Sequence, residues 1–149
     1  MNFTIETLSA SLSNYLSPYF PGVNFYKDPN QQKTKPPCAF LQARYSSLEL
    51  ETAGYWIRTI GLDLTYLVDY NLPNMQTLYE NAAEKLDILM ETFPYTDGEN
   101  TSLMRCYERE WKIDLDALHY NFEIRARVSL PDNTPKVESI DSMNTEVAQ

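Results

Sequence analysis

A chain of 149 residues and 17.3 kDa has room for one ordinary domain core, and at 43% hydrophobic and 13% aromatic it carries the apolar material to build it. A formal charge of -9 and a pI near 4.5 remove the clustered cations that grip a phosphate backbone, which excludes direct, sequence-specific nucleic-acid binding from the expected functions. No stretch approaches the roughly 20 apolar residues of a membrane span, so no membrane partner is expected.

The N-terminus, Met1-Asn2-Phe3-Thr4-Ile5-Glu6, has neither a basic region nor an apolar run of signal-peptide length, so the product is expected to stay in the cytoplasm where it is made. Leu8, Leu12, Tyr15, Leu16 and Tyr19 recur at helical spacing until Pro18 and Pro21-Gly22 break the pattern, predicting a first helix over about residues 3–17. Val23 and Phe25 mark a short strand, and the proline-bearing polar stretch at 28–37 an exposed loop. Residues 38–46 and 54–69 read as strands, the second unusually long and bent or bulged near Gly61. Residues 47–53 join them without a crossover helix, which makes the pair antiparallel.

After Pro73-Asn74, the residues Met75, Leu78, Tyr79, Ala82, Leu86, Leu89, Met90 and Phe93 form one apolar stripe opposite Glu80, Glu84, Lys85, Asp87 and Glu91. That is an amphipathic helix lying on a sheet, with Pro94 as its end. Residues 96–100 are a surface turn, 104–113 and 118–130 two further strands, and 114–117 the hairpin connection between them. We therefore expect one domain over 1–130 and an acidic, flexible tail over 131–149. The order α, β, β, β, α, β, β predicts an α+β fold: a single mainly antiparallel or mixed sheet with two helices packed on one face, the other face solvated or used.

Little in the chain points to catalysis. His119 is the single histidine and is read as a strand residue with an ordinary hydrogen bond. Asp114 with Asp116, and Glu108 with Glu110 on one strand face, lack the ligand density and central glycine of a calcium loop, and are read as a solvated turn and a salt-bridged face. Gly-rich phosphate loops, GxSxG and HExxH are missing, and Cys38 and Cys106 sit in predicted strands without CxxC spacing. No catalytic residue, metal or cofactor is assigned.

Surface chemistry is more informative. Glu123, Arg125 and Arg127 alternate with Phe122, Ile124, Ala126 and Val128, and the preceding strand offers Arg105, Tyr107 and Arg109. Such alternation commonly marks only a half-exposed sheet; on an acidic protein, a basic sheet face can also meet an acidic face of a neighbouring subunit. Arg105, Tyr107, Arg109, Glu123, Arg125 and Arg127 are therefore the candidate subunit-interface residues, and the eleven tyrosines fit the same reading.

An N-terminal helix, a strand with Pro37-Cys38-Ala39-Phe40-Leu41, a long strand running into Leu64-Thr65-Tyr66-Leu67, a helix with Asn81-Ala82-Ala83-Glu84-Lys85-Leu86 and a closing hairpin with Leu118-His119-Tyr120-Asn121-Phe122 follow one another in this chain. In order and spacing this resembles the small tail-terminator (tail-completion) proteins of phages and prophages of Gram-positive hosts, over about residues 1–130. The resemblance implies a non-enzymatic virion protein made in the host cytoplasm. It would form a hexameric ring at the head-proximal end of the tail, cap the tail-tube protein, stop its polymerisation and dock the head-completion or neck connector protein. In a contractile tail the ring would also touch the sheath. Residues 28–37 and 47–53 are candidate inter-subunit arms. Two other readings stay open: a head-completion or neck protein of the same region, and a cytoplasmic module that binds a small ligand or peptide on the open sheet face.

Overall fold

A computed structural model of the chain describes residues 3–26, 35–69, 71–114 and 116–129. Helix α1 (Ile5–Leu16) starts where Thr4 caps it: the Thr4 hydroxyl accepts from the Thr7 N–H at 3.1 Å, and the Thr7 hydroxyl accepts from the Thr4 N–H at 3.2 Å. It ends in a single 3₁₀ turn, Ser17–Tyr19, where Pro18 and then Pro21 cannot continue the ladder. Strand β1 (Asn24–Tyr26) follows, then β2 (Cys38–Leu50), β3 (Trp56–Leu67), helix α2 (Met75–Leu89), β4 (Thr92–Thr96), β5 (Thr101–Asp114) and β6 (Ala117–Val128).

The six strands lie in the order β1-β2-β3-β6-β5-β4, with β1 parallel to β2 and every other neighbour antiparallel, in a mixed sheet curled into a half-barrel. Both helices contribute to one core. Leu8, Leu12 and Leu16 of α1 and Tyr79, Ala83 and Leu86 of α2 join Ile60, Leu62 and Leu64 of β3 and Leu118, Tyr120, Phe122 and Ile124 of β6. The strand residues alternate, so a single sheet face is covered by helices, as the α+β expectation required. Both cysteines are free and buried.

Four features depart from the local reading. The stripe that assigned Phe93 to the second helix breaks at Met90, and residues 92–96 form an additional edge strand. Phe93 and Tyr95 turn inward and Pro94 turns outward, a position that an edge strand tolerates because the missing N–H faces no partner. This strand is held by α1 as well as by β5: the Ser11 hydroxyl accepts from the Thr96 N–H at 3.1 Å and donates to its carbonyl at 3.2 Å, and Thr7 Oγ1 lies 2.6 Å from the Tyr95 hydroxyl. Second, β2 continues to Leu50, so most of the expected connection is strand, and the turn at 51–55 is closed by the Glu51 N–H on the Tyr55 carbonyl at 2.7 Å with Gly54 at φ 84.

Third, β3 runs through Gly61 unbroken, and the extra residue sits opposite, in β2, where the register shifts between Ala43 and Tyr45. Fourth, a second irregularity lies in β5 between Tyr107 and Glu110, with Glu108 at φ 51. Two bulges at the same level on either side of the regular β3–β6 ladder add local twist, consistent with the curl of the sheet. Residues 27–34 of the polar loop and the tail from residue 130 onward lie outside the described residues.

Burial also sets an alkaline limit on the fold. The Cys106 thiol is pushed up to about 12 by burial, with Arg109 acting weakly in the opposite sense, and burial raises the Tyr15, Tyr66, Tyr79 and Tyr120 phenols as well. Above the ordinary thiol value of 9.0 the unfolded chain releases the Cys106 proton while the folded chain keeps it. The contribution is therefore complete below that pH and is lost as pH rises toward about 12. We expect the unfolding free energy from urea titrations to fall between pH 9 and 11, by at most about 1 kcal/mol per pH unit for this group, and to fall less steeply in Cys106→Ala. Equal slopes for the two proteins would refute the assignment.

Candidate interaction surface

The face turned away from the helices is organised in cross-strand rows that run over β2, β3, β6 and β5. Glu49, Ile57 and Arg127 form one row and Ser47, Thr59 and Arg125 the next; then come Tyr45, Gly61, Glu123 and Tyr107, and after them Gln42, Asp63, Asn121 and Glu110. The side chains bind one another along and between these rows. The Tyr45 hydroxyl donates to the Glu123 carboxylate, which holds the phenol above its usual range, and the other oxygen of Glu123 meets Arg125 at 3.5 Å. The Arg125 guanidinium lies 4.1 Å from the centre of the Tyr107 ring, and Arg127 lies 4.9 Å from that of Tyr55. Glycine at position 61 is what makes room: a Cβ there would fall 2.1 Å from the Tyr45 ring.

Five of the six candidate interface residues lie on this face. Tyr107, Glu123, Arg125 and Arg127 belong to the rows above, and Arg105 stands near its margin, 3.7 Å from Glu91. Arg109 does not join them. The bulge at Glu108 shifts the alternation by one residue, and Arg109 turns toward α2, where it donates to the Asp87 carbonyl at 2.7 Å. The bulge leaves Glu108 unpaired in the ladder, yet Glu108 and Glu110 still line one cleft on this face with Tyr45, Asn121 and Glu123. Tyr45 and Tyr55, which complete the ladder, were not singled out from the sequence. The stacking of Arg125 on Tyr107 and of Arg127 on Tyr55 becomes visible only when register and bulges are known.

Farther along the sheet, His119 Nδ1 is 2.9 Å from Asp63 Oδ2 and 3.4 Å from Thr65 Oγ1, so the single histidine is engaged in cross-strand hydrogen bonding. Asp63 Oδ1 and Asn121 Oδ1, on directly opposed residues, are buried without a donor. A half-turn of the Asn121 carboxamide, exchanging its oxygen for its NH2 group, brings a donor into that row. No group of three metal-ligating side chains converges among the described residues. Within the same residues no helix is long and apolar enough to cross a membrane.

The arrangement is thus a broad, pre-ordered polar and aromatic surface with stacked guanidinium groups, suited to docking against another macromolecule. A comparison with curated proteins yields no significant match. A family model described as phage tail terminator protein matches residues 7–136, from within α1 to beyond the end of β6. The chain, with its one-sided helices and ordered open face, belongs to the phage tail terminator family, whose members are structural proteins of the virion tail.

Proposed function

We propose that this protein closes the head-proximal end of the tail tube as a hexameric ring, ends polymerisation of the tube protein and presents the surface on which the head-completion or neck connector docks. In a contractile tail the same ring meets the sheath. The observation that carries this reading is the open sheet face: helices cover one side only, while Tyr45, Glu123, Arg125 and Tyr107 hold each other in place on the other. Side chains already restrained by their neighbours lose less entropy when a partner arrives. The protein acts by binding, without catalysis, in a single domain over 1–130; it is made in the host cytoplasm and incorporated into the virion.

Negative-stain imaging and light scattering of the purified chain, alone and mixed with the tail-tube protein, test the proposal. Rings, or tubes of limited length capped at one end, are expected. A monomer that neither binds nor shortens tubes would overturn it, and binding to the connector alone would move the protein to the head-completion side of the junction.

A further inference from the structure

Among the described residues, β2 and β6 each keep part of a flank without a strand partner, besides the outer edges of β1 and β4. Strand β2 is 13 residues long, but β1 pairs only with Cys38, Ala39 and Phe40, so its flank from Leu41 to Leu50 is open. Strand β6 stays paired with β3 as far as Val128, whereas its ladder with β5 ends at Ile124. Residues 101–105 of β5 pair with β4 instead. This divergence leaves the β5-facing flank of β6 open from Arg125 to Val128, beside a cleft of about 270 Å³ lined by Phe3, Leu103, Met104, Arg125, Ala126 and Arg127. Open flanks carry backbone N–H and C=O groups directed outward, the usual template for strand addition.

The two flanks match in pattern and charge. Leu48 and Leu50 continue the core-facing side of β2 past the end of the helical cover and are 45% and 61% exposed. Glu49 points to the opposite side and Glu51 follows at the strand end. At the cleft, Met104 and Ala126 belong to the core-facing side, while Arg125 and Arg127 belong to the outer face. Leucines alternating with glutamates thus meet an apolar floor beneath guanidinium groups with the correct alternation. Both charged pairs have a two-residue spacing, so either strand direction leaves carboxylate facing guanidinium.

We propose that residues 47–51 of one copy add as a strand to the open flank of β6, residues 125–128, of the next copy, with Leu48 and Leu50 on the Phe3, Met104 and Ala126 floor and Glu49 and Glu51 against Arg125 and Arg127. The junction joins different surfaces of the same chain head to tail, the arrangement that generates a closed ring when the rotation between copies closes. It rests on the ring reading above and supplies the contact between its subunits.

Charge exchange tests it. Full-length Glu49→Arg/Glu51→Arg presents cations on both flanks, and full-length Arg125→Glu/Arg127→Glu presents carboxylates on both. Each variant, incubated separately with the tail-tube protein, is expected to associate with itself more than about tenfold less than the parent chain. An equimolar mixture is expected to recover rings, now alternating in composition, because each flank then meets its opposite charge. Self-assembly of either variant at the parent level, or no recovery in a mixture whose components retain the parent circular dichroism, overturns strand addition and leaves the ring reading intact if the parent forms rings. A parent chain that forms no ring, free or on tubes, overturns both. Should Arg125→Glu/Arg127→Glu not fold, Leu48→Lys/Leu50→Lys, at exposed positions, must abolish ring formation; rings formed by that variant overturn the junction.

Discussion

Tyr79→Phe is expected to lower the stability of the fold by about 2 kcal/mol although it removes a single oxygen atom. Tyr79 is 1% exposed, and its hydroxyl is shared by two backbone groups from different parts of the chain. It accepts from the Val68 N–H at 3.1 Å, just after β3, and donates to the Asp116 carbonyl at 2.6 Å, in the turn between β5 and β6. Phenylalanine keeps the ring, and with it the edge contact to Tyr66 at 5.9 Å between centroids, but leaves a donor and an acceptor unpaired. The affected carbonyl belongs to a residue held at φ 63, so the turn loses an anchor where its backbone is already unfavourable. Tyr79→Ala adds the cavity and should cost about 3–5 kcal/mol. Ile88→Ala on the same helix, 80% exposed, should change stability by less than about 0.5 kcal/mol. Urea unfolding of the three variants checks the series. A Tyr79→Phe midpoint equal to that of the parent would mean that the shared hydroxyl contributes nothing.

Gly61→Val should destabilise the protein by about 1–2 kcal/mol in the parent chain and have the opposite sign once Tyr45 is shortened. Valine is a better strand residue than glycine, and in an unobstructed site the exchange would favour the fold by up to about 1 kcal/mol. Here a Cβ meets the Tyr45 ring at 2.1, 2.3 and 2.7 Å. The ring must swing away, breaking its bond to Glu123 and releasing the carboxylate that holds Arg125. In Tyr45→Ala the obstruction is gone, so Gly61→Val becomes neutral or stabilising. The coupling between the two positions, read from a double-mutant cycle of urea midpoints, should exceed about 1 kcal/mol. Additive effects would show that the ring does not restrain residue 61. The same cycle bears on assembly, because Tyr45, Glu123 and Arg125 form one connected group on the open face.

Taken with the proposed junction, these expectations divide the molecule by role. Tyr79 and the helix-covered face secure the domain. In the proposed assembly, the open face and the free flanks of β2 and β6 are where a partner is met. Substitutions in the first group should alter unfolding before assembly, whereas charge exchange at Glu49, Glu51, Arg125 and Arg127 should alter assembly with little change in unfolding, since exposed ion pairs contribute little to a fold.

What the sequence alone determined follows from short-range periodicity. Leu8, Leu12 and Leu16 at helical spacing, the stripe from Met75 to Leu89, and the alternation of Ile60, Leu62 and Leu64 are written over a few turns or pleats, and each was legible as helix or strand. The antiparallel β2–β3 pair followed from a connection too short for a crossover, and the family resemblance followed from the order of these elements. Tertiary structure alone decided β4, the bulge in β5 and the free flanks, and it moved the irregularity expected near Gly61 to the opposing residues of β2. Phe93 fits a helical stripe as well as a strand, and only its burial beside Tyr95, with α1 bonding to Thr96, resolves it. A bulge inserts one residue and inverts every later side chain, so no local pattern could place Arg109 against α2 while Tyr107 faces outward. Whether a strand edge is covered depends on where its neighbours end. That is a property of pairing between distant segments, and no single segment of the chain carries it.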